Sequence, residues 1–350
     1  MRNWRRAALA VAIGSAMLPS ACGEPDPPPP PPAETVLAPI PASPPVGETA
    51  TPLDPMDAPD PTILSVDPSY CGPDAASCYY AYTTQVVFLI TPLWRSTDLV
   101  HWSLADDVGG DAMPDLAPWV LWGHNWAPSV LEVPGNPESS RFVMWYTARE
   151  QATGRQCLGV ATAPHPAGPF VDSSTQPAYC QFPGMDTIDA STYLDTDGTP
   201  YLVYKSGAPD NLWVNRLTPD ATAVVPNTAV KLLAGGAPDA SIVEAPTMIR
   251  FKRVLYLFYS TDDWWTDRYR VAVAQCDAPT GPCLRMYTGA VLASRASMVG
   301  PGGQTPIQDT SGNWHLFFHA WTAPKVGYES NGARSLHILP LDFAGGIEVG

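Results

Sequence analysis

Apolar and polar positions along this chain follow a period of two, in short bursts broken by Gly, Pro, Asn and Asp, which predicts strands and turns. After residue 22 no segment of useful length keeps a helical period. Residues 241–262, SIVEAPTMIRFKRVLYLFYSTD, show the unit: TMI is a short strand, FKR a turn and VLYLFYS a second strand, with Glu244 at the head. The same grammar recurs in DPTIL followed by YYAYTT, WAPSVLEV followed by FVMWYTA, IDASTYL followed by YLVYKSG, and GPGGQTPIQD followed by HLFFHAW. Counted from Asp60 through Trp126, Asp189 and Glu244 to Gly302, the gaps are 66, 63, 55 and 58 residues, a long internal repeat. Four strands per repeat and five repeats predict an all-β fold, a five-bladed β-propeller of four-stranded antiparallel blades over residues 56–350. Blade one is read as PTIL, YYAYTT, VVFLI and STDLVHW; DTDG before PYLVY is a tight-turn signal in blade three. Blade five has three clear strands plus IEVG, so Thr35 to Ile40 are candidates to complete it.

The first 55 residues break the pattern. Residues 1–22 have a basic start, an apolar stretch and small residues before Cys22, which reads as an export signal too short to span a bilayer. LPSAC resembles a bacterial lipobox with Cys22 as the acylated residue, although Leu18 lies one place further from the cysteine than usual. That implies a cell-surface lipoprotein, with plain secretion as the alternative. Residues 23–55 are Pro-rich, lack backbone donors and favour polyproline II, a spacer able to hold the propeller up to roughly 100 Å from an anchor.

Seven cysteines become six once Cys22 is set aside. CGPDAASC (Cys71, Cys78) and CDAPTGPC (Cys276, Cys283) close short loops, and Cys157 with Cys180 spans one blade, so three disulfides and an oxidising compartment are expected. No CxxC or His spacing supports metal binding. The net charge of −15 becomes about −18 without the leader's Arg2, Arg5 and Arg6, which excludes electrostatic binding of nucleic acid or anionic lipid. Membrane contact is expected through the lipid anchor alone, and the chain is read as a monomer.

The run DPTIL, YYAYTT and RSTDLVHW, then WAPSVLEV, LGVATAPHPAGPF, IDASTYLDTDGTPYLVYKS, VEAPTMI with YLFYS, and GPGGQ with HLFFHAW resembles the family 43 glycoside hydrolases, the arabinanase-like and arabinofuranosidase-like members in particular. The similarity covers roughly residues 56–345, with each blade contributing its own motif. It implies an inverting hydrolase that needs no cofactor and acts on a polysaccharide or oligosaccharide. Matched by motif, Asp60 would be the general base, Asp189 the carboxylate that tunes and orients, and Glu244 the general acid. Two positions depart from the pattern: Ser129 where many members have Asp after WAP, and Ala190 where IDPS has Pro.

The chemistry of the residues agrees. Inverting hydrolysis needs a protonated carboxyl for the leaving oxygen and an ionised one across the sugar to activate water, about 6.5 to 9.5 Å apart. A third carboxylate beside the acid would keep it protonated by like-charge repulsion. Taken singly, Asp60 and Asp189 read as turn caps and Glu244 as a solvated strand end; three carboxylates in phase with one repeat favour catalysis. Trp126 either stacks on a sugar or fills the core. Lys205 reaches a hydroxyl or an ion pair, Gln304 sits in a Gly-rich loop where backbone can approach a ligand, and Trp264 and Trp265 form an aromatic pair for a further subsite. His319 is placed near the axis by the resemblance, where some members hold a calcium or a water, so it doubles as a substrate and metal candidate.

Substrate identity stays open between α-L-arabinofuranosyl linkages and the β-xylosyl or galactosyl alternatives, and a carbohydrate-binding propeller without turnover is the rival class. GxSxG, the NDPNG start of retaining fructosidases and the SxDxGxTW box of sialidases are all absent.

Overall fold

The computed structural model describes residues 56–350 except 237, 238, 240, 241, 287, 288 and 345, so the expected export signal, Cys22, the Pro-rich stretch and Thr35 to Ile40 lie outside the described residues. Five antiparallel sheets follow one another along the chain. Blade one is β1 (Thr62–Val66), β2 (Cys78–Tyr82), β3 (Leu93–Ser96) and β4 (Ser103–Leu104). Blade two is β5 (Val120–Glu132), β6 (Phe142–Glu150) and β7 (Gln156–Ala163), its outer edge completed by bridges from Tyr179 to Leu158 and Val171 to Thr162. Blade three is β8 (Thr187–Leu194), β9 (Pro200–Ser206), β10 (Asn211–Arg216) and β11 (Val230–Ala234). Blade four is β12 (Val243–Phe251), β13 (Val254–Thr261), β14 (Arg270–Cys276) and β15 (Cys283–Arg285). Blade five is β16 (Met298–Gln308), β17 (Trp314–Thr322), β18 (Ser335–Asp342) and β19 (Glu348–Val349). The first strands meet in a closed cycle, β1 on β5, β5 on β8, β8 on β12, β12 on β16 and β16 on β1, which makes a five-bladed β-propeller.

The apolar runs follow from this geometry, because a middle strand is covered on both faces by neighbouring blades. In β13, Leu255, Leu257 and Tyr259 pack toward blade three, while Tyr256 and Phe258 pack toward blade five. In β6, Phe142, Met144 and Tyr146 face blade one, and Val143 and Trp145 face blade three. Five such cores lie between successive blades, and each fully buried Leu, Val or Phe adds roughly 1.5–3 kcal/mol.

Three readings of the sequence change. VVFLI is a loop, not a strand: Val87 and Phe88 are 77% and 88% exposed, and the amides of Ile90 and Thr91 are taken by the Asp111 carboxylate. The third strand of blade one is LWRS, and STDLVHW is mostly a turn beyond it. GPGGQ lies inside β16, whose register shifts around Gly300 and Gly303 absorb the bends the glycines allow.

IEVG supplies the last strand, Leu341 pairing with Val349 and Asp342 with Glu348. Blades five and one join through bonds, not through a shared sheet: Thr305 Oγ1 donates to Pro61 O at 2.7 Å, and Ala58 N to Arg334 O at 3.0 Å. The disulfides are Cys71–Cys78, Cys157–Cys180 and Cys276–Cys283, as the spacing predicts.

Candidate active site

Each first strand either follows closely on, or bends at, one residue in the left-handed region: Asp60 (φ 53°), Ala127 (44°), Asp189 (58°), Ala245 (46°) and Gly303 (58°). Four of the five lack the freedom of glycine, and such a residue costs on the order of 1–3 kcal/mol, so the surroundings must hold it. A belt of hydrogen bonds does. His319 Nδ1 accepts the Asp60 amide at 3.0 Å, Thr84 Oγ1 that of Ala127 at 2.9 Å, Thr147 Oγ1 that of Asp189 at 3.0 Å, and Ser260 Oγ that of Gly303 at 3.0 Å. The repeat counted on the sequence therefore mixes two phases. Asp60 and Asp189 occupy the left-handed position itself, whereas Trp126, Glu244 and Gly302 stand one residue before it.

That offset brings three carboxylates from three blades to the wall of one cavity of about 740 Å³, within the 300–1,000 Å³ of small-ligand sites. Asp60 is held by Thr84, whose Oγ1 donates to Oδ2 at 2.7 Å, and by Arg334, whose Nη1 lies 3.4 Å from the same oxygen. Burial works to raise its carboxyl, but the Arg334 charge and the Thr84 hydrogen bond outweigh it and hold Asp60 below the usual value. It stays ionised, as a base must. Gly303 is required beside it, since a Cβ there would lie 2.7 Å from His319 Nδ1 and 2.9 Å from Asp60 Oδ1.

Glu244 is buried, with Lys205 Nζ at 2.8 Å from Oε2 and the Tyr269 hydroxyl donating to Oε1 at 2.8 Å. Among the described residues Asp189 makes no ion pair, although the Lys205 charge acts on it through space. Its Oδ2 accepts the Ala245 amide at 2.9 Å, and burial, with the Glu244 charge second, pushes its carboxyl up to about 7. One wall thus carries a carboxylate held ionised, and the other a carboxyl held above its usual value beside the ion-paired Glu244, the separation of environments that acid-base chemistry needs.

Arg334 and Tyr269 were not read from the sequence. Arg334 is buried, with its guanidinium 4.6 Å from the Trp264 ring centre, its Nε on the Tyr328 hydroxyl at 3.1 Å and its amide on Asp57 at 2.7 Å. The one signal for it was its place at the start of the strand beside FFHAW.

Trp126 stands on the cavity wall, edge-on to His124, and Trp264 lines the same space, stacked on Trp321 with Trp265 exposed beyond it. Ser129 and Gln304 are not brought there. Ser129 is spent on Thr192, and Gln304 is buried, accepting from Ser260 at 2.8 Å and donating to Ala245 O at 2.7 Å. Both face a narrower axial cavity of about 200 Å³ beneath the carboxylates. Lys205 does not line the cavity of the three carboxylates either; it bridges Glu244 and Asp210. His319 lies at the axis and is fully buried, which lowers its ring to about 3 and keeps it neutral.

A calcium ion at His319 does not fit these residues. With Nδ1 accepting from Asp60, the neutral ring carries its proton on Nε2, which therefore has no lone pair for a metal. Calcium takes six to eight oxygens, and among the described residues no three His, Cys, Asp or Glu side chains gather to hold a metal.

Comparison with protein families matches residues 52–347 to the model described as Glycosyl hydrolases family 43. The arabinoxylan arabinofuranohydrolase of Bacillus subtilis is 25% identical over 293 residues, 73% of this chain and 52% of that protein. The extracellular endo-alpha-(1->5)-L-arabinanase of Thermotoga petrophila is 23% identical over 254 residues, 64% of this chain and 50% of that protein. The chain thus spans about half the length of these relatives. Among solved structures, the endo-1,4-beta-xylanase of Bacteroides thetaiotaomicron superposes with a TM-score of 0.68 at 26% identity, over 84% of this chain and 94% of that one.

Proposed function

The chain belongs to family 43 of the glycosyl hydrolases, and on that premise we propose that it hydrolyses α-L-arabinofuranosyl linkages in arabinan or an arabinose-containing polysaccharide by single displacement. The observation that carries this reading is the one cavity walled by Asp60, Asp189 and Glu244, with the first on Arg334 and the last on Lys205 and Tyr269. Asp60 takes a proton from a water molecule as the water oxygen attacks the anomeric carbon. Glu244 gives its proton to the leaving oxygen as the glycosidic bond breaks, and Asp189 keeps that proton in place until then. No metal or cofactor enters these steps.

The arabinose linkage is favoured by the names of the two curated relatives; the xylanase among the structural neighbours keeps xylosyl linkages as the competitor. Incubation with arabinan, arabinoxylan, xylan and galactan, with products sized and their first anomer read by NMR, tests both parts. Arabinose or arabino-oligosaccharides with inverted configuration are expected. Release from xylan or galactan alone would reassign the substrate, retention would overturn single displacement, and no release with retained binding would make this a carbohydrate-binding propeller.

The segment ending at Cys22 supports export to the cell surface. Cys22→Ser should then move the protein from the membrane to the soluble fraction, and unchanged partition would remove the anchor.

A further inference from the structure

The belt that holds the five left-handed residues has one irregular member. Its side chains occupy one ladder position in every blade: Thr147 opposite Trp126, Lys205 opposite Ile188, Ser260 opposite Glu244, His319 opposite Gly302, and Thr84 bonded through its amide to Pro59 O. In four blades that side chain accepts the amide of the next blade's left-handed residue. In blade three it is a lysine, and an ammonium has no lone pair with which to accept. Two groups are redirected around it. The Ala245 amide goes to Asp189 Oδ2 at 2.9 Å, and Lys205 Nζ turns to Glu244 Oε2 at 2.8 Å and Asp210 Oδ2 at 3.1 Å.

We infer that Lys205 is the positioning residue of the general acid: by abandoning the belt it draws Asp189 onto the Ala245 amide, beside Glu244, and pairs the carboxylate that Glu244 becomes when it protonates the leaving group. The inference rests on the acid role proposed above for Glu244. It gives the acid two opposed neighbours. Asp189 beside it opposes a second negative charge on the pair, and Lys205 with Tyr269 stabilises the carboxylate of Glu244 once the proton has left. Lys205 acts through Glu244 and does not line the substrate cavity.

The groups facing the pair are few. Lys205 comes from β9 with Asp210 behind it, Tyr269 from just before β14, Asp60 with Arg334 from across the cavity, and His319 lies neutral against Tyr269. Burial works to lower Lys205, but the charges of Glu244 and Asp189 outweigh it and hold the ammonium above its ordinary range, so it is charged wherever the enzyme works.

The experiment compares Lys205→Ser, whose hydroxyl can take the Ala245 amide as in the other blades, with Lys205→Met, which keeps length and loses charge. For both, kcat on polysaccharide should fall roughly 10-fold or more with KM nearly unchanged, and the alkaline limb of kcat/KM should move up by about one pH unit, the sign of losing a cation beside an acid. An activated aryl glycoside should suffer less. A raised KM with unmoved kcat and limb would make Lys205 a sugar-binding residue and overturn the inference, as would no change. If the unmodified protein turns over no glycoside, the proposed function fails on its own. The inference is then read by carboxyl-carbon NMR, where the titration of Asp189 near pH 7 should move upward in Lys205→Ser and an unmoved titration sinks it.

Discussion

Tyr269 lies flat against His319, ring planes 8° apart and centroids 6.0 Å, so one rigid pair serves both walls of the cavity. The tyrosine hydroxyl holds Glu244 Oε1 at 2.8 Å, and the imidazole accepts the amide of Asp60 at 3.0 Å. Burial, with the carboxylate charges second, keeps the Tyr269 hydroxyl well above its ordinary range, so it remains a donor throughout.

Tyr269→Phe should therefore leave the ring stack intact and remove the donor alone. A hydrogen bond to a charged group contributes about 1.5–3 kcal/mol, so kcat on polysaccharide should fall roughly 10- to 100-fold with the melting temperature little changed. Steady-state kinetics beside a thermal melt check this. An unaltered kcat would mean that the hydroxyl does nothing for Glu244.

Asp189 sets stability against chemistry. Its carboxyl titrates at about 7 when folded against 3.8 in its ordinary state. Below pH 3.8 both folded and unfolded chains hold the proton and there is no penalty. As pH rises toward 7 the unfolded chain ionises first, so stability from this group is progressively lost, and above 7 the loss is complete. Asp189→Asn should then be more stable than the parent at pH 8, by as much as a few kcal/mol, with the gap closing toward pH 4 and activity largely gone. Denaturant melts at the two pH values measure the gap, and an equal difference at both would contradict the burial argument.

Arg334 works in the opposite direction, since it holds Asp60 ionised. Arg334→Met leaves a buried carboxylate without its cation, which typically costs about 3–5 kcal/mol of stability. It also lets the Asp60 carboxyl rise, so the acidic limb of kcat/KM should move to higher pH. Arg334→Lys keeps the charge but loses the flat face on Trp264 and the fork toward Tyr328, so it should recover the limb better than the stability. An acidic limb unmoved in Arg334→Met would detach Arg334 from the base.

How much of this was legible along the chain depended on whether the signal was local. Asp60, Asp189 and Glu244, which line one cavity, stood out because each lies near the start of a strand in step with a repeat, and the six cysteines because loop spacing suggests their partners. The one-residue offset between Asp189 and Glu244 was hidden, because Ala127 and Ala245 adopt positive φ with nothing in alanine to announce it. Arg334 meets Asp60 across 274 residues of chain, a contact made by ring closure and by no pattern within blade five. Val87 and Phe88 misled in the other direction: an apolar run reads as a strand until a structure shows it exposed, with Val87 at the rim of the cavity that the three carboxylates line.

The last test separates the two walls by what each does to the leaving group. If Glu244 is the acid, Glu244→Gln removes proton donation, which matters greatly for a sugar alkoxide and little for an aryl oxide that leaves unprotonated. Polysaccharide hydrolysis should fall by about 10²- to 10⁴-fold while an activated aryl glycoside keeps most of its rate. Gln at 244 can still meet Lys205 or Tyr269 through its carbonyl oxygen, so the variant should fold. Asp60→Asn differs, because water needs a base whatever leaves, and both substrates should fail together. Thr84 and the His319 bond to the Asp60 amide keep residue 60 in place, so that failure would be chemical. Equal losses on both substrates for Glu244→Gln would move the acid role off Glu244. A large recovery of Asp60→Asn on the aryl substrate would show that Asp60 assists departure and not attack, and the roles of the two walls would have to be exchanged.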